Sequence, residues 1–237
     1  MTATVIVTGS SGGIGRAISV ECLSAGYRVI AVDQKSGDAT DEVITYRGDV
    51  SSPELVNEVL NHACSSGQQV SLVNAAGVTR PEAGSYSPSS WHETIAVNLS
   101  AVYLWCEEFR QRVKSGRLNG SVIVNIGSLA AHRGFLDNPA YAASKAGVVG
   151  LTRSYAMELG AFGIRVVSIS PGYIRTEMTT KSWNDPELRL RRAQSSILGR
   201  WGEPEDVARV CRFMLSPDAG FVTGIDIPVD GGWLAKG

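Results

Sequence analysis

Short runs of valine, isoleucine and other apolar residues recur along the chain, each broken off by glycine, asparagine, aspartate or serine. They are TVIVT at Thr4–Thr8, YRVIAVD ending at Asp33, VITYRGDV, VSLVNAAG, SVIVNIGS, IRVVSISPG and IDIPVDGG. Almost every position in them is apolar rather than every second one. That is the pattern of strands in a parallel sheet whose two faces are both covered by helices.

The intervening segments carry helical periodicity. Ile14 to Ala25 is amphipathic and stops at Gly26. Pro53 to Ala63 follows Ser51-Ser52, a capping pair with proline just inside the first turn. Trp91 to Val113 and Ala140 to Phe162 are the longest helical stretches. The alternation predicts an α/β fold: a Rossmann-type doubly wound parallel sheet of about seven strands, with helices on both faces, in a single domain over residues 1–237. One stretch, Tyr173 to Gly202, breaks the rhythm. It has no strand, is polar and charged, and follows a strand's carboxyl end, where a substrate lid is expected.

Composition narrows the field. The 237 residues are 43% hydrophobic and 19% charged, with a net charge of −1, an ordinary globular balance. There is no block of like charges, so neither nucleic acid nor a membrane surface is the expected partner. The opening MTATVIVTGSSG runs straight into a strand, no signal peptide is expected, and no apolar run approaches the roughly 18 residues of a membrane span. Cys22, Cys64, Cys106 and Cys211 are scattered, and His62, His92 and His132 are isolated. Neither disulfides nor a metal site is expected, and the location expected is cytoplasmic.

The candidate chemistry begins in the run TGSSGGIG, where Gly9, Gly13 and Gly15, with Ser11 and Ile14 between them, follow a strand and open a helix. The spacing is Gly-x-x-x-Gly-x-Gly, not the more common Gly-x-Gly-x-x-Gly. The physics is the same: glycines let a pyrophosphate approach the backbone, and helix amides face it. Asp33 closes the second strand, where a carboxylate accepts from ribose hydroxyls and repels a 2′-phosphate; Gln34 and Lys35 add only one base. This favours NAD over NADP. Asp49-Val50 follows the third strand, within reach of an adenine, and Asn74-Ala75-Ala76-Gly77 ends the fourth with small residues suited to a close backbone approach. Tyr141 and Lys145 in YAASK share a helix face, so the ammonium can favour the phenolate and tune Tyr141 as an acid/base.

TGSSGGIG, Asp49-Val50, NAAG, Asn98, Ser128, YAASK, Pro171-Gly172 and Thr176 stand in the order and spacing of the short-chain dehydrogenase/reductase family, which the chain resembles from Thr8 to Gly232. The resemblance implies a catalytic tetrad of Asn98, Ser128, Tyr141 and Lys145. In it Ser128 bonds the reacting oxygen, Tyr141 is the acid/base, Lys145 lowers its pKa and holds the nicotinamide ribose, and Asn98 helps hold a water. Pro171, Gly172 and Ile174 would border the nicotinamide and Thr176 would bond its carboxamide. The implied activity is an NAD-dependent oxidoreductase on a secondary alcohol or ketone of a small or medium polar molecule, assembled as a homotetramer, with a dimer as the second choice. Two rivals remain. LGRWGEPEDVA also resembles an NADPH-dependent 3-oxoacyl-carrier-protein reductase, against which Asp33 speaks; a silent nucleotide-sensing regulator is opposed by the intact tetrad. Arg80 and Arg133 could bind a substrate anion or pair with acids such as Glu82 and Asp137. Trp183 and Trp201 could wall the pocket or anchor the lid.

Overall fold

The computed structural model describes residues 3–35, 42–65, 67–81 and 87–236. The apolar runs become β1 (Thr4–Thr8), β2 (Arg28–Asp33), β3 (Val43–Arg47), β4 (Gln69–Asn74), β5 (Asn119–Ile126), β6 (Arg165–Pro171) and β7 (Asp226–Val229). They form one seven-stranded sheet in the order β3-β2-β1-β4-β5-β6-β7, and every pairing is parallel. The chain leaves β1 toward β2 and β3, then returns to β1's other side as β4. The crevice at that reversal lies outside the carboxyl ends of β1 and β4, where doubly wound sheets bind ligands.

The helices are α1 (Gly13–Ser24), α2 (Pro53–Ser65), α3 (Pro88–Ile95), α4 (Ala101–Lys114), α5 (Pro139–Leu159), α6 (Thr180–Asn184), α7 (Pro186–Ser195), α8 (Pro204–Leu215) and α9 (Trp233–Lys236). The apolar sides of α2, α4 and α5 cover one sheet face around the fully buried Phe109 and nearly buried Trp105. On the other face α1 and α8 enclose Val5, Val7, Ile18 and Cys211. Burying a residue such as Phe109 is worth about 3–5 kcal/mol against alanine. The doubly wound α/β fold is thus the one expected.

Three elements differ from the expectation. The single helix expected over Trp91 to Val113 starts earlier, at Pro88, with Ser87 capping the amide of Ser90. It is also interrupted by a π turn at Ala96–Ser100. A π turn inserts one residue into a helix and rotates the side chains that follow; such bulges concentrate at functional sites. The helix α8 was not anticipated. Its start is signalled by a reciprocal capping box between Glu203 and Asp206 and by Pro204, and Val207, Ala208, Cys211, Met214 and Leu215 form its buried stripe. The segment from Tyr173 to Gly202 has no strand but is more structured than expected. A one-turn helix at Glu177–Thr179 leads to α6 and α7, and the segment is closed at its base by Arg175 N donating to Gly202 O and Gly202 N to Tyr173 O, both 2.9 Å.

Candidate active site

The glycine turn is built by close packing. Gly9 has a φ of +68°, and a Cβ there would lie 2.6 Å from the Cα and N of Ala76. A Cβ on Gly15 would overlap the carbonyl oxygen of Gly9. Both positions therefore exclude any side chain, and the small residues of NAAG have a matching purpose. Thr8 Oγ1 accepts from the amides of Ala75 and Ala76 at 3.2 and 3.3 Å, locking the two turns together. Helix α1 begins at Gly12 with no side-chain cap and no acid in its first turn, so its leading amides keep their capacity for an anion.

A cleft of about 390 Å³ runs from this turn. Gly9, Gly13, Ile14, Gly15, Asp33, Val50, Ala75, Ala76, Gly77 and Thr176, all expected at the cofactor site, line it. Thr176 reaches across from the loop after β6, its Cγ2 only 2.7 Å from where a Cβ on Gly13 would sit. Asp33 is held in place: one carboxylate oxygen accepts from Ser11 N and the other from Lys35 N, both at 3.0 Å. Lys35 in turn faces Glu177 at 3.6 Å on the opposite lip. Lys35 is thus already matched with an acid.

Five expected cofactor residues are placed differently. The side chain of Asn74 is buried and turned into the sheet, where its Nδ2 donates to Asn125 Oδ1 at 2.9 Å, and Asn125 donates to Thr152. A strand-end residue alternates in direction, and this one points away from the cleft. Asp49 closes its own turn, accepting from the amide and hydroxyl of Ser51 at 2.9 and 2.8 Å, while the neighbouring Val50 lines the cleft. Ile174 is packed against Gly202. Together with Gly172 it lines a second cavity, of about 490 Å³, bordered by the Tyr173–Gly202 segment. Pro171 is the buried last residue of β6.

The tetrad residues come together at the carboxyl edge of β4 and β5. Ser128 stands two residues past the end of β5 and its hydroxyl reaches Tyr141; burial raises the phenol's pKa above its usual value, and the Ser128 hydrogen bond offsets part of that rise. Lys145, 4% exposed, donates from Nζ to the carbonyl of Ile126 at 2.8 Å. The same Nζ is 5.8 Å from the centre of the Tyr141 ring. Burial lowers the lysine to about 8. Asn98 sits in the π turn, fully buried, and clamps the chain just past NAAG: its Oδ1 accepts from Val78 N at 2.8 Å and its Nδ2 donates to Val78 O at 2.9 Å. The same amide nitrogen reaches Ser144 Oγ at 3.3 Å, and Ser144 donates to the carbonyl of Tyr141. Ser144 was missed in the sequence, although its place between Tyr141 and Lys145 in YAASK was a signal.

The two arginines separate. Arg80 makes a two-pronged ion pair with Glu93 at 2.6 and 3.2 Å on the cleft rim; Glu82, the acid suggested from the sequence, lies outside the described residues. Arg133 does not pair with Asp137; its guanidinium lies over the Trp233 ring, 5.3 Å from the centroid. Asp226 was not singled out either. Its buried carboxylate accepts from Ser168 and Ser170 and meets His132 Nε2 at 2.7 Å, tying the turn after Ser128 to β6 and β7. Trp201 ties the Tyr173–Gly202 segment together rather than lining the cleft, with its indole N–H donating to Arg189 O at 2.9 Å. No metal-binding cluster occurs among the described residues.

A parallel sheet in this order, a glycine turn opening α1, and a Ser-Tyr-Lys set at the strand ends define a dinucleotide-linked oxidoreductase architecture. The comparisons agree. A family model described as "Enoyl-(Acyl carrier protein) reductase" matches residues 9–234. A curated relative, (3R)-3-hydroxyacyl-CoA dehydrogenase of Mus musculus, is 38% identical over 98% of this chain and 96% of its own length. Among solved structures, 4-hydroxyisoleucine dehydrogenase complexed with NADH superimposes with a TM-score of 0.91 at 31% identity, covering 99% of both chains. ElxO with NADP bound gives 0.89 at 26% identity, covering 99% of this chain and all of the other. The chain belongs to the short-chain dehydrogenase/reductase family and is an oxidoreductase acting on CH–OH and C=O groups.

Proposed function

We propose that the protein moves a hydride between NAD(H) and the carbinol or carbonyl carbon of a small or medium polar substrate, with Tyr141 as general acid/base. The observation that carries this is the Ser128–Tyr141–Lys145 set beside a glycine turn that opens α1 with its first amides uncapped. The residues fit the dinucleotide: uncapped α1 amides suit the pyrophosphate, the small turn residues suit close approach, and Asp33 suits ribose hydroxyls. When bound, the nicotinamide supplies or accepts the hydride; Ser128 orients the substrate oxygen and Tyr141 gives or takes its proton. Lys145 favours the phenolate, and Asn98 fixes the backbone past Gly77.

NAD rather than NADP rests on Asp33 and on the Lys35–Glu177 pairing, both of which work against a 2′-phosphate. The NADH complex of 4-hydroxyisoleucine dehydrogenase supports this and the NADP complex of ElxO is the contrasting case. The hydroxyacyl substrate of the mouse relative makes hydroxy acids and their thioesters the first compounds to test. A screen of alcohols, sugars, hydroxy acids and hydroxyacyl thioesters with NAD, followed by reduced-nicotinamide absorbance, tests the reading; no turnover across that panel contradicts it.

We infer one folded domain, located in the cytoplasm, where the four free thiols stay reduced. The assembly is a homotetramer, supported by exposed apolar residues on the outer helices and beside the edge strand: Tyr103, Met157, Phe162, Phe221 and Ile225. Light scattering at micromolar concentration checks it, and a monomeric mass refutes it.

A further inference from the structure

The lid segment concentrates positive charge. Between Tyr173 and Gly202 stand six basic residues against three acidic ones, in a chain whose net charge is −1. All three acids have local explanations. Glu177 faces Lys35, Asp185 caps the first amides of α7, and Glu187 occupies that helix's first turn, where its dipole favours an acid. Of these basic residues only Arg200 has a carboxylate partner among the described residues, Asp206. Arg175, Lys181, Arg189, Arg191 and Arg192 have none within ion-pair distance among the described residues.

Three of these cations are not waving in solvent. Arg175 and Arg189 lie over Trp183, 4.6 and 5.5 Å from its centroid. Arg192 lies over Tyr173 at 4.5 Å and near Trp201 at 5.8 Å. The three rings touch one another, Trp183 meeting Trp201 edge-on at 5.3 Å and Tyr173 meeting Trp201 at 5.7 Å. Stacking fixes each guanidinium plane and leaves its N–H groups free for an acceptor. Gathering like charges around one aromatic stack is electrostatically unfavourable, and a polyanion relieves it. Lys236 adds a further cation at the end of α7, donating to Gln194 O at 2.5 Å.

The ground beside the stack is mostly apolar, with Asp206 and Asp230 also in the cavity wall. The cavity of about 490 Å³ has Arg192 in its wall together with Ile174, Ile197, Leu198, Val229 and Trp233. Ile197 and Leu198 are exposed. A ligand matching both surfaces has an apolar arm and a phosphate-bearing end.

Resting on the oxidoreductase reading above, we propose that the Arg175–Arg189–Arg192 stack is the docking site for the phosphates of a carrier-borne substrate, an acyl group on a coenzyme A-type handle. Arginine forks match phosphate oxygens two at a time, and several such contacts convert a weak site into a specific one. Tyr173, under Arg192, follows Gly172 at the end of β6, and β6 pairs with β5, whose end leads to Ser128, so the handle is held beside the strand end next to the reacting centre.

The test is calorimetric binding of free coenzyme A to the wild-type protein with NADH saturating, so that the dinucleotide cleft is blocked. Coenzyme A is expected to bind at least tenfold more tightly than pantetheine, which lacks all phosphates, with 4′-phosphopantetheine between them. Raising the salt from about 50 to 200 mM should weaken coenzyme A and leave pantetheine unchanged. The double variant Arg175→Gln, Arg189→Gln should bind coenzyme A as weakly as pantetheine while its NADH affinity is unchanged, and the corresponding double lysine variant should recover most of the loss. Equal affinity for coenzyme A and pantetheine, or a double variant that binds coenzyme A like wild type, overturns the proposal. Alcohol or ketone turnover with NAD(H) is read separately, so a failed oxidoreductase reading and a failed docking site are told apart.

Discussion

The ammonium of Lys145 is bound to the carbonyl oxygen of Ile126 at 2.8 Å, and the same nitrogen lies 5.8 Å from the centre of the Tyr141 ring. The carbonyl comes from the last residue of β5, so the sheet itself sets where the charge stands relative to the phenol. A charge at that distance in a site shielded from water favours the phenolate by a useful margin. Holding it there has a cost, because the group is 4% exposed.

That cost gives a prediction with a sign. Burial lowers Lys145 from 10.5 to about 8. Below pH 8 the folded protein carries a desolvated charge that the unfolded chain solvates freely, a penalty of roughly 3 kcal/mol. Between pH 8 and 10.5 the folded lysine loses its proton while the unfolded one keeps it, so stability rises across this window. Lys145→Met should therefore abolish most turnover and weaken NADH binding, yet raise the thermal midpoint at pH 7, with the gain fading toward pH 10.5. An equal loss of stability at pH 7 and pH 10 would show that the buried charge is not a burden.

Asp33 should decide which dinucleotide is used. Its carboxylate is fixed by Ser11 N and Lys35 N, so it cannot swing away from a 2′-phosphate. Asp33→Ser should narrow the preference for NAD over NADP at least tenfold, worth about 1.4 kcal/mol, when kcat/KM is compared for the two. A wild-type preference for NADP contradicts the assignment outright.

Gly9 admits no side chain. Its φ of +68° and the 2.6 Å separation from Ala76 that a Cβ would have mean that Gly9→Ala must move the NAAG turn. Backbone strain of this kind costs about 1–3 kcal/mol, and the cleft changes shape with it. Both the denaturation midpoint and NADH affinity should fall. A variant with unchanged affinity would show that the glycine serves the turn alone.

How much of this was legible follows from what each element depends on. The strands declared themselves because helices cover both sheet faces, leaving nearly unbroken runs such as Val5-Ile6-Val7. The glycine turn, Ser128, Tyr141 and Lys145 were legible because their spacing is tied to strand ends and to one helix face. The π turn around Asn98 was not, since one inserted residue leaves no clear periodic mark. The lid helices α6 and α7 were hidden because arginine–aromatic stacking and an Asp185 cap hold them, not an apolar stripe. Helix α8 is marked in the sequence by the Glu203–Asp206 capping box and Pro204. The orientations of Asn74 and Ile174, and the choice of Glu93 as the partner of Arg80, depend on contacts distant in sequence that no local pattern encodes.

The most direct test of the account is Tyr141→Phe, which keeps the ring and removes the proton. With a substrate identified by the NAD screen, single-turnover hydride transfer should slow by about 10² to 10⁴. NADH affinity, measured by fluorescence on the same preparation, should stay within a factor of about three of wild type, as the cofactor cleft is lined by other residues. A Tyr141→Phe protein that retains more than about a tenth of the wild-type rate, short of even the smallest general acid–base contribution, would contradict the role given to Tyr141.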